Sequence, residues 1–88
     1  MKIVFTADAW RDYVAWQADD PAVLTRINLL IGECMRQPFT GTGKPEPLKR
    51  NLSGWWSRRI NREHRLVYRV SGSGAAQALE VLSCRFHY

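Results

Sequence analysis

The segment from Pro38 to Gly54 constrains this chain more than any other, because it holds three prolines and three glycines. Neither a helix nor a central strand tolerates that density. Before the segment, apolar residues recur mainly at helical spacing, and after it they alternate as in strands. We therefore predict a long loop between the two parts. Long loops are uncommon in small domains and are more often functional than not, so we expect this one to form a wall of the site.

The N-terminal part starts with a strand-like run, Lys2–Phe5, and Thr6 then offers a favourable N-cap for a helix. The side chains that recur at three- and four-residue steps in this helix are Trp10, Tyr13, Val14 and Gln17. We expect this stripe to face a sheet. Core packing is the expected role of the two helix tryptophans, Trp10 and Trp16.

A second helix is predicted to begin at Asp20-Pro21, because Asp caps helices and Pro is favoured at the first helical position. This helix should end before Pro38 and form a hairpin with the first. Its apolar stripe consists of Val23, Ile27, Leu30, Ile31 and Cys34.

Three strand-like runs follow the loop: Trp55–Ile60, Arg65–Val70 and Leu79–Phe86. The first two should pair as a hairpin, since only a short polar connection separates them. The resulting order, β-α-α-β-β-β, predicts an α+β fold. Its two N-terminal helices would pack on one face of a mainly antiparallel, twisted sheet, leaving the other face free to bind.

Strand periodicity assigns the side chains of these runs to faces. Leu66, Tyr68 and Val70 should belong to the core, and Arg65, Val67 and Arg69 should lie opposite. The same rule separates Arg58 from Arg59, so these two arginines cannot face the same ligand. One of them is then structural or exposed, and the sequence alone does not say which.

The basic charge of the chain is concentrated in its second part. Thirteen Lys and Arg against eight Asp and Glu give a net charge of +5 over 88 residues. Residues 1–36 carry four basic and five acidic side chains, a balance of −1, so the remainder carries +6. A solvated basic face would explain this concentration of positive charge. Phosphate recognition explains the concentration better, because most of the cations are Arg, whose planar guanidinium group suits phosphate oxygens.

Several other properties limit the classes of protein to which this chain can belong. The length suits one domain over residues 1–88, and no apolar run reaches the roughly 18 residues of a membrane span. Without a signal-peptide core, the chain is expected in the cytoplasm, with Cys34 and Cys84 as buried free thiols. The cysteines and histidines lack zinc-ligand spacing, so no metal is expected.

The two histidines receive different interpretations. His64 lies at the entrance of the predicted hairpin and is expected to be a turn or packing residue. His87 is penultimate, between Phe86 and Tyr88, and frayed chain ends are common. If the last strand is held in the sheet, His87 and Tyr88 project from its end toward the loop.

Four stretches together carry a resemblance to a known family. They are Gly-Lys-Pro-Glu-Pro-Leu-Lys at 43–49, Asn-Leu-Ser-Gly-Trp-Trp-Ser-Arg-Arg-Ile at 51–60, Glu-His-Arg-Leu-Val-Tyr at 63–68, and the terminal Cys-Arg-Phe-His-Tyr. In these stretches the sequence resembles the YoeB toxins of bacterial toxin–antitoxin systems, within the RelE superfamily. The resemblance extends over essentially the whole chain and implies the RelE-like microbial RNase fold.

The resemblance implies a ribosome-dependent endoribonuclease that cleaves mRNA codons in the decoding site and is silenced by an antitoxin of the YefM type. It also implies a homodimer, with operator DNA contacted only through the antitoxin. Glu46 matches the family's proposed general base, His87 its general acid, and Arg65 its phosphate-stabilising cation. The substrate-binding positions matched are Lys49, Arg59 and Tyr88.

These residue types are sufficient for RNA cleavage without a metal or cofactor. RNA supplies its own nucleophile, the 2′-OH, so the protein need only move two protons and stabilise charge on the phosphate. The alternative is a non-catalytic RNA- or ribosome-binding module that uses the basic face and Trp55 to neutralise and stack. A third interpretation, a DNA-binding subunit, is disfavoured because no helix is basic enough to enter a major groove.

Overall fold

The computed structural model describes residues 1–86. Its helices are α1 (Ala7–Asp19) and α2 (Pro21–Cys34), and its strands are β1 (Lys2–Phe5), β2 (Glu46–Pro47), β3 (Trp56–Arg59), β4 (Arg65–Ser71) and β5 (Ala78–Ser83). Single 3₁₀ turns lie at Arg50–Leu52 and Gly74–Ala76.

The strands form one sheet in the order β1-β5-β4-β3-β2. Only β1 and β5 pair in parallel, and the other three pairings are antiparallel. Two helices against a mainly antiparallel sheet confirm the predicted α+β fold. Parallel strands need a long crossover connection, and here the chain between β1 and β5 passes through both helices and the intervening strands.

The observed strands differ from the predicted ones by one added strand and an earlier end of the last strand, with shifts of one residue at other boundaries. Glu46–Pro47 lies in the expected loop yet pairs with β3 as a short edge strand. The edge position tolerates Pro47, because a proline there need not supply a ladder hydrogen bond. The last strand ends at Ser83 rather than continuing to Phe86.

The buried face of α1 is not the predicted stripe. Ala9 and Trp16 are its buried residues, whereas Trp10 is 52% exposed and Val14 41%. The small Ala9 meets the C-terminal segment, where its carbonyl accepts from Cys84 Sγ at 3.6 Å. Trp16 is in the core as predicted, and its Nε1 donates to the Cys84 carbonyl at 3.1 Å. Trp10 instead stacks on Tyr13 at the surface, so its predicted core role is wrong.

The second helix follows its prediction closely. The Asp20 carboxylate accepts from Ala22 N–H at 3.2 Å and from Val23 N–H at 3.4 Å, and Pro21 opens the helix. All five residues of the predicted stripe are buried: Val23, Ile27, Leu30, Ile31 and Cys34.

The strands present the predicted faces to the core. Leu66 and Tyr68 are fully buried, and Val70 packs against the same cluster. On the opposite face Arg69 is exposed, but Val67 and Ser57 are only 1% and 4% exposed. The face away from the helices, which was expected to be free to bind, is therefore only partly open.

The cysteines are free and buried, as predicted. Burial raises the pKa of Cys34 and raises that of Cys84 to about 12. Within residues 1–86, neither helix is long and apolar enough to cross a membrane.

Candidate RNA-binding and catalytic site

The register of the sheet brings three predicted site residues to one face. Glu46 on β2 pairs with Ser57 on β3, and two residues further along β3 Arg59 pairs with Arg65 on β4. Paired residues share a face and side chains alternate along a strand, so Glu46, Arg59 and Arg65 all project away from the helices. From strand spacing, the Glu46 Cα lies about 8 Å from that of Arg59 and about 12 Å from that of Arg65.

Arg59 and Arg65 stand directly opposite each other, an arrangement that like charges disfavour. Arg65 Nη1 donates to the carbonyls of Asn61 at 2.8 Å and His64 at 3.1 Å, which fixes its guanidinium group. Among the described residues, neither arginine has a carboxylate within ion-pair distance. The pair is therefore ready to receive an anion.

Glu46 and Lys49 share a cavity of about 420 Å³ beside edge strand β2. The Glu46 side chain is 53% exposed, and its Oε1 lies 3.9 Å from Lys44 Nζ. The cavity is lined by Glu46, Pro47, Leu48, Lys49, Arg50 and Leu52. Carboxylate and ammonium groups are thus both accessible to a ligand at the end of the predicted loop, whose residues line this cavity.

The C-terminal segment is fastened beside Arg65. Phe86 N–H donates to His64 Nδ1 at 2.7 Å, and the Phe86 carbonyl accepts from the Arg65 backbone N–H at 2.9 Å. His64 is 7% exposed and contacts the Trp16 ring edge-on, with 4.8 Å between ring centroids. This confirms its predicted packing role. The predicted roles of His87 and Tyr88 fall outside the described residues.

Arg58 holds the long loop against the sheet and was not predicted to do so. Its side chain is fully buried and donates from Nη1 to Glu33 Oε1 at 3.1 Å and from Nε to the Tyr68 hydroxyl at 3.1 Å. The loop carbonyls that also accept from it belong to Gln37, Thr40 and Thr42. Arg58 is therefore the structural member of the Arg58–Arg59 pair, and Arg59 is the exposed one.

Burial and hydrogen bonding shift the pKa values of Arg58 and of its partners Glu33 and Tyr68. The backbone N–H of Thr42 donates to Glu33 at 2.5 Å and, with Arg58, holds the pKa of that carboxyl below its ordinary value. Burial raises the pKa of the Tyr68 hydroxyl to about 12. For Arg58, burial alone would lower the pKa, but the bonds to Tyr68 and Glu33 raise it overall. Arg58 and Glu33 are therefore charged and Tyr68 neutral at physiological pH.

One sequence signal for Arg58 was available. It shares a pleat face with Trp56 and Ile60, which places a charge on the apolar side of the strand. A charge there must be buried with partners or disrupt the strand. Those partners lie on α2 and in the loop, so strand periodicity alone could not identify them.

Trp55 is less available for stacking than the binding-module alternative requires. The Arg69 guanidinium lies 4.3 Å from the centroid of its ring, and Arg69 in turn pairs with Glu80 at 3.0 Å. One face of the indole is thus already covered by a cation.

The described residues do not form a recognisable metal-binding site. No group of three or more His, Cys, Asp or Glu side chains in residues 1–86 is arranged to hold a metal ion. The groups brought together are one carboxylate and several cations, which suit proton transfer and phosphate binding.

Sequence comparison finds close relatives over the full chain. Residues 5–88 match the family described as the YoeB-like toxin of bacterial type II toxin–antitoxin systems. The toxin YoeB of Synechocystis sp. is 59% identical over 88 residues, covering 100% of this chain and 98% of the relative. The toxin YoeB of Escherichia coli K12 is 50% identical, covering 100% of both chains.

Solved structures agree with the sequence comparison. A YoeB/ParE toxin from Agrobacterium tumefaciens superposes with a TM-score of 0.96 at 58% identity, covering 100% of both chains. The YoeB dimer of Staphylococcus aureus gives a TM-score of 0.88 at 42% identity, covering 100% of this chain and 98% of that one. The YoeB–YefM complex of the same species gives 0.88 at 40% identity with the same coverage.

Proposed function

Because this chain belongs to the YoeB-like toxins of bacterial type II toxin–antitoxin systems, we propose that it is a ribosome-dependent endoribonuclease. A single domain over residues 1–88 cleaves translated mRNA at the ribosomal A site and thereby inhibits translation. It acts in the bacterial cytoplasm, where the ribosomes are. The observation that carries the proposal is the shared face of Glu46, Arg59 and Arg65, opposite the helices.

The proposed roles are those that the family resemblance implies, and each suits the chemistry of its group. Glu46 removes the proton from the 2′-OH, which then attacks the adjacent phosphorus. His87 protonates the departing 5′-oxygen. Arg65 and Lys49 stabilise the charge that develops on the phosphate, while Arg59 and Tyr88 hold the substrate. The 2′-OH is part of the substrate, so the reaction requires no metal or cofactor, and DNA is not cleaved.

The fastening of Phe86 supports the assignment of His87 as the acid. The Phe86 N–H donates to the His64 side chain and the Phe86 carbonyl accepts from Arg65 N–H, and His87 is the next residue in the chain. That anchor adjoins the backbone of Arg65, whose side chain belongs to the face that carries Glu46.

The proposed partners follow from the relatives. Staphylococcus aureus YoeB forms a dimer and a complex with YefM. We propose that this chain likewise forms a homodimer and binds a cognate antitoxin of the YefM type. Operator DNA is then contacted only through that antitoxin, and the substrate is mRNA on the ribosome.

The proposal is tested by mapping 5′ ends by primer extension on mRNA incubated with the protein, with and without ribosomes. We expect discrete cuts only with ribosomes. Glu46→Gln and His87→Ala should each slow cleavage by about 10²–10⁴-fold. Glu63→Gln, which removes an exposed carboxylate outside the site, is the matched control and should cleave normally.

Two results would contradict the proposal. If wild type and His87→Ala stall ribosomes alike without cutting mRNA, the protein is a binding module. If Glu46→Ala binds RNA more tightly and keeps every other effect of the wild type, the carboxylate is not a base and only repels the phosphate.

A further inference from the structure

A second cavity of about 470 Å³ lies at the end of the sheet where β3 passes into β4. We call it the arginine cavity. It is lined by Arg26, Arg59, Ile60, Asn61, Arg62 and Arg65. Arg59 and Arg65 belong to the face that carries Glu46, whereas Arg26 comes from α2 and Arg62 from the β3–β4 connection. The cavity therefore extends the proposed site around the end of the sheet.

Backbone carbonyls preorganise two of its guanidinium groups. Arg26 Nη2 donates to the Arg59 carbonyl at 3.3 Å, and Arg65 Nη1 donates to the Asn61 carbonyl at 2.8 Å. Asn61 Oδ1 accepts from the backbone N–H groups of Glu63 at 2.9 Å and His64 at 2.8 Å, which orders the connection. The carbonyl contacts use part of each arginine's donor set and leave the rest for a ligand.

The charge of the cavity is not neutralised within the described part of the chain. No carboxylate lines it, and none of its four arginines forms an ion pair with residues 1–86. Glu63 is adjacent in sequence but is not among the lining residues. Four cations around one cavity repel one another unless an anion is bound.

The lining favours phosphate over the side chains of an acidic protein. Ile60 is its only apolar side chain and is 5% exposed, so the cavity offers no apolar anchor of the kind that supports protein interfaces. Arginine forks match phosphate oxygens bidentately. Continuity with Arg59 and Arg65 places such a phosphate next to the one attacked under the proposed reaction.

We infer that the arginine cavity binds a backbone phosphate of RNA other than the scissile one, with Arg26 and Arg62 as its dedicated residues. This inference rests on the proposed function for the identity of the RNA. It assigns Arg26 and Arg62 a binding role separate from the acid–base chemistry.

The test measures RNA binding without cleavage. Wild type, Arg26→Gln and Arg62→Gln are titrated into a fluorescent single-stranded RNA made uncleavable by 2′-O-methylation, at several salt concentrations. Arg36→Gln is the matched control, because Arg36 is an exposed arginine just after α2 and lines neither cavity. Arg62 is exposed and Arg62→Gln should fold normally, so the test does not depend on Arg26→Gln folding.

We expect each cavity variant to bind up to about fivefold more weakly than Arg36→Gln. Affinity should also fall less steeply with salt. The magnitude of the slope of log affinity against log salt should be smaller by about 0.7, which corresponds to the loss of one phosphate contact on a single strand. A parallel sedimentation assay with ribosomes separates the two sources of RNA. If only ribosome binding is weakened, the phosphate belongs to ribosomal RNA and the cavity is still an RNA phosphate site.

Other results would overturn the inference. It fails if Arg26→Gln and Arg62→Gln match Arg36→Gln in both assays, or if they weaken binding of poly-L-glutamate and leave RNA binding intact. Cleavage by the wild type is measured alongside to keep the two proposals apart. Selective loss of RNA binding in a protein that cuts no mRNA would refute the proposed reaction and leave the phosphate site standing.

Discussion

Arg58 shows how one residue can support a site without facing it. Its guanidinium group is fully buried, and its five hydrogen bonds join β3 to α2, to the loop and to Tyr68. Its neighbour Arg59 is exposed and projects from the other face. Two adjacent arginines of identical chemistry thus have opposite roles, which are fixed by the pleat.

Arg58→Met should lower the free energy of unfolding by about 3–5 kcal/mol, because it leaves Glu33 and the loop carbonyls without their cation. Arg59→Met, the same change one residue along, should alter it by less than about 0.5 kcal/mol. Urea unfolding followed by circular dichroism checks both. Equal effects would mean that Arg58 contributes no more than an exposed arginine.

Tyr68 makes the stability of the protein sensitive to alkaline pH. Its folded-state pKa is about 12, against about 10 when unfolded, so the unfolded chain loses this proton first. The contribution is fully present below pH 10 and is lost as pH rises toward 12. A tyrosinate absorbance titration should show one late step that Tyr68→Phe removes. A titration without a late step, or one whose late step survives in Tyr68→Phe, would contradict this.

At the scale of elements, the loop between α2 and β2 has a fixed path because its glycines fit where a side chain cannot. Gly41 has a φ of +111°, and a Cβ there would lie 1.8 Å from Glu33 Oε1. Gly43 has a φ of +84°, and its carbonyl accepts from Arg59 N–H at 2.7 Å. These contacts lead the chain into β2 and so place Glu46 opposite Ser57.

Gly41→Ala should destabilise the protein by about 1–3 kcal/mol, since it combines a left-handed backbone with a clash against a carboxylate that Arg58 holds in place. Gly32→Ala is the matched control. A Cβ at Gly32 meets nothing within 4 Å, and replacing a glycine inside a helix should stabilise by about 0.5–1 kcal/mol. Thermal unfolding of the two variants should therefore shift in opposite directions. A shift in the same direction would mean that the loop is not held as described.

The limits of sequence-based prediction appear at this same scale. The stripe of α2 was predicted in full, because five apolar side chains at helical spacing leave one face to bury. The stripe of α1 was not, since its buried face is set by Ala9 and Trp16 meeting the C-terminal segment around Cys84. Such long-range contacts leave no periodic signal. The pairing of Glu46–Pro47 was missed for the same reason, as two residues are too few for a pattern.

At the scale of the whole molecule, the chain concentrates unpaired positive charge on one region. Five cations between residues 49 and 65 have no ion-pair partner within the described residues: Lys49, Arg50, Arg59, Arg62 and Arg65. Elsewhere most of the acidic groups form ion pairs, as Asp19 does with Arg85 at 2.9 Å. A concentration of positive charge of this kind destabilises the free protein through self-repulsion. Stability and the proposed function are therefore in opposition in this region.

That opposition predicts a response to salt. Raising NaCl from about 0.01 M to about 1 M shortens the Debye length from roughly 30 Å to 3 Å, so the repulsion should weaken and the unfolding midpoint should rise. Arg62→Gln should raise the midpoint at low salt and respond less to added salt. Arg11→Gln, which instead breaks a surface pair with Asp8, is the matched control and should not raise it. If Arg62→Gln responds to salt as the wild type does, the cations do not repel one another appreciably. The arginine cavity would then carry no electrostatic cost for an RNA phosphate to relieve.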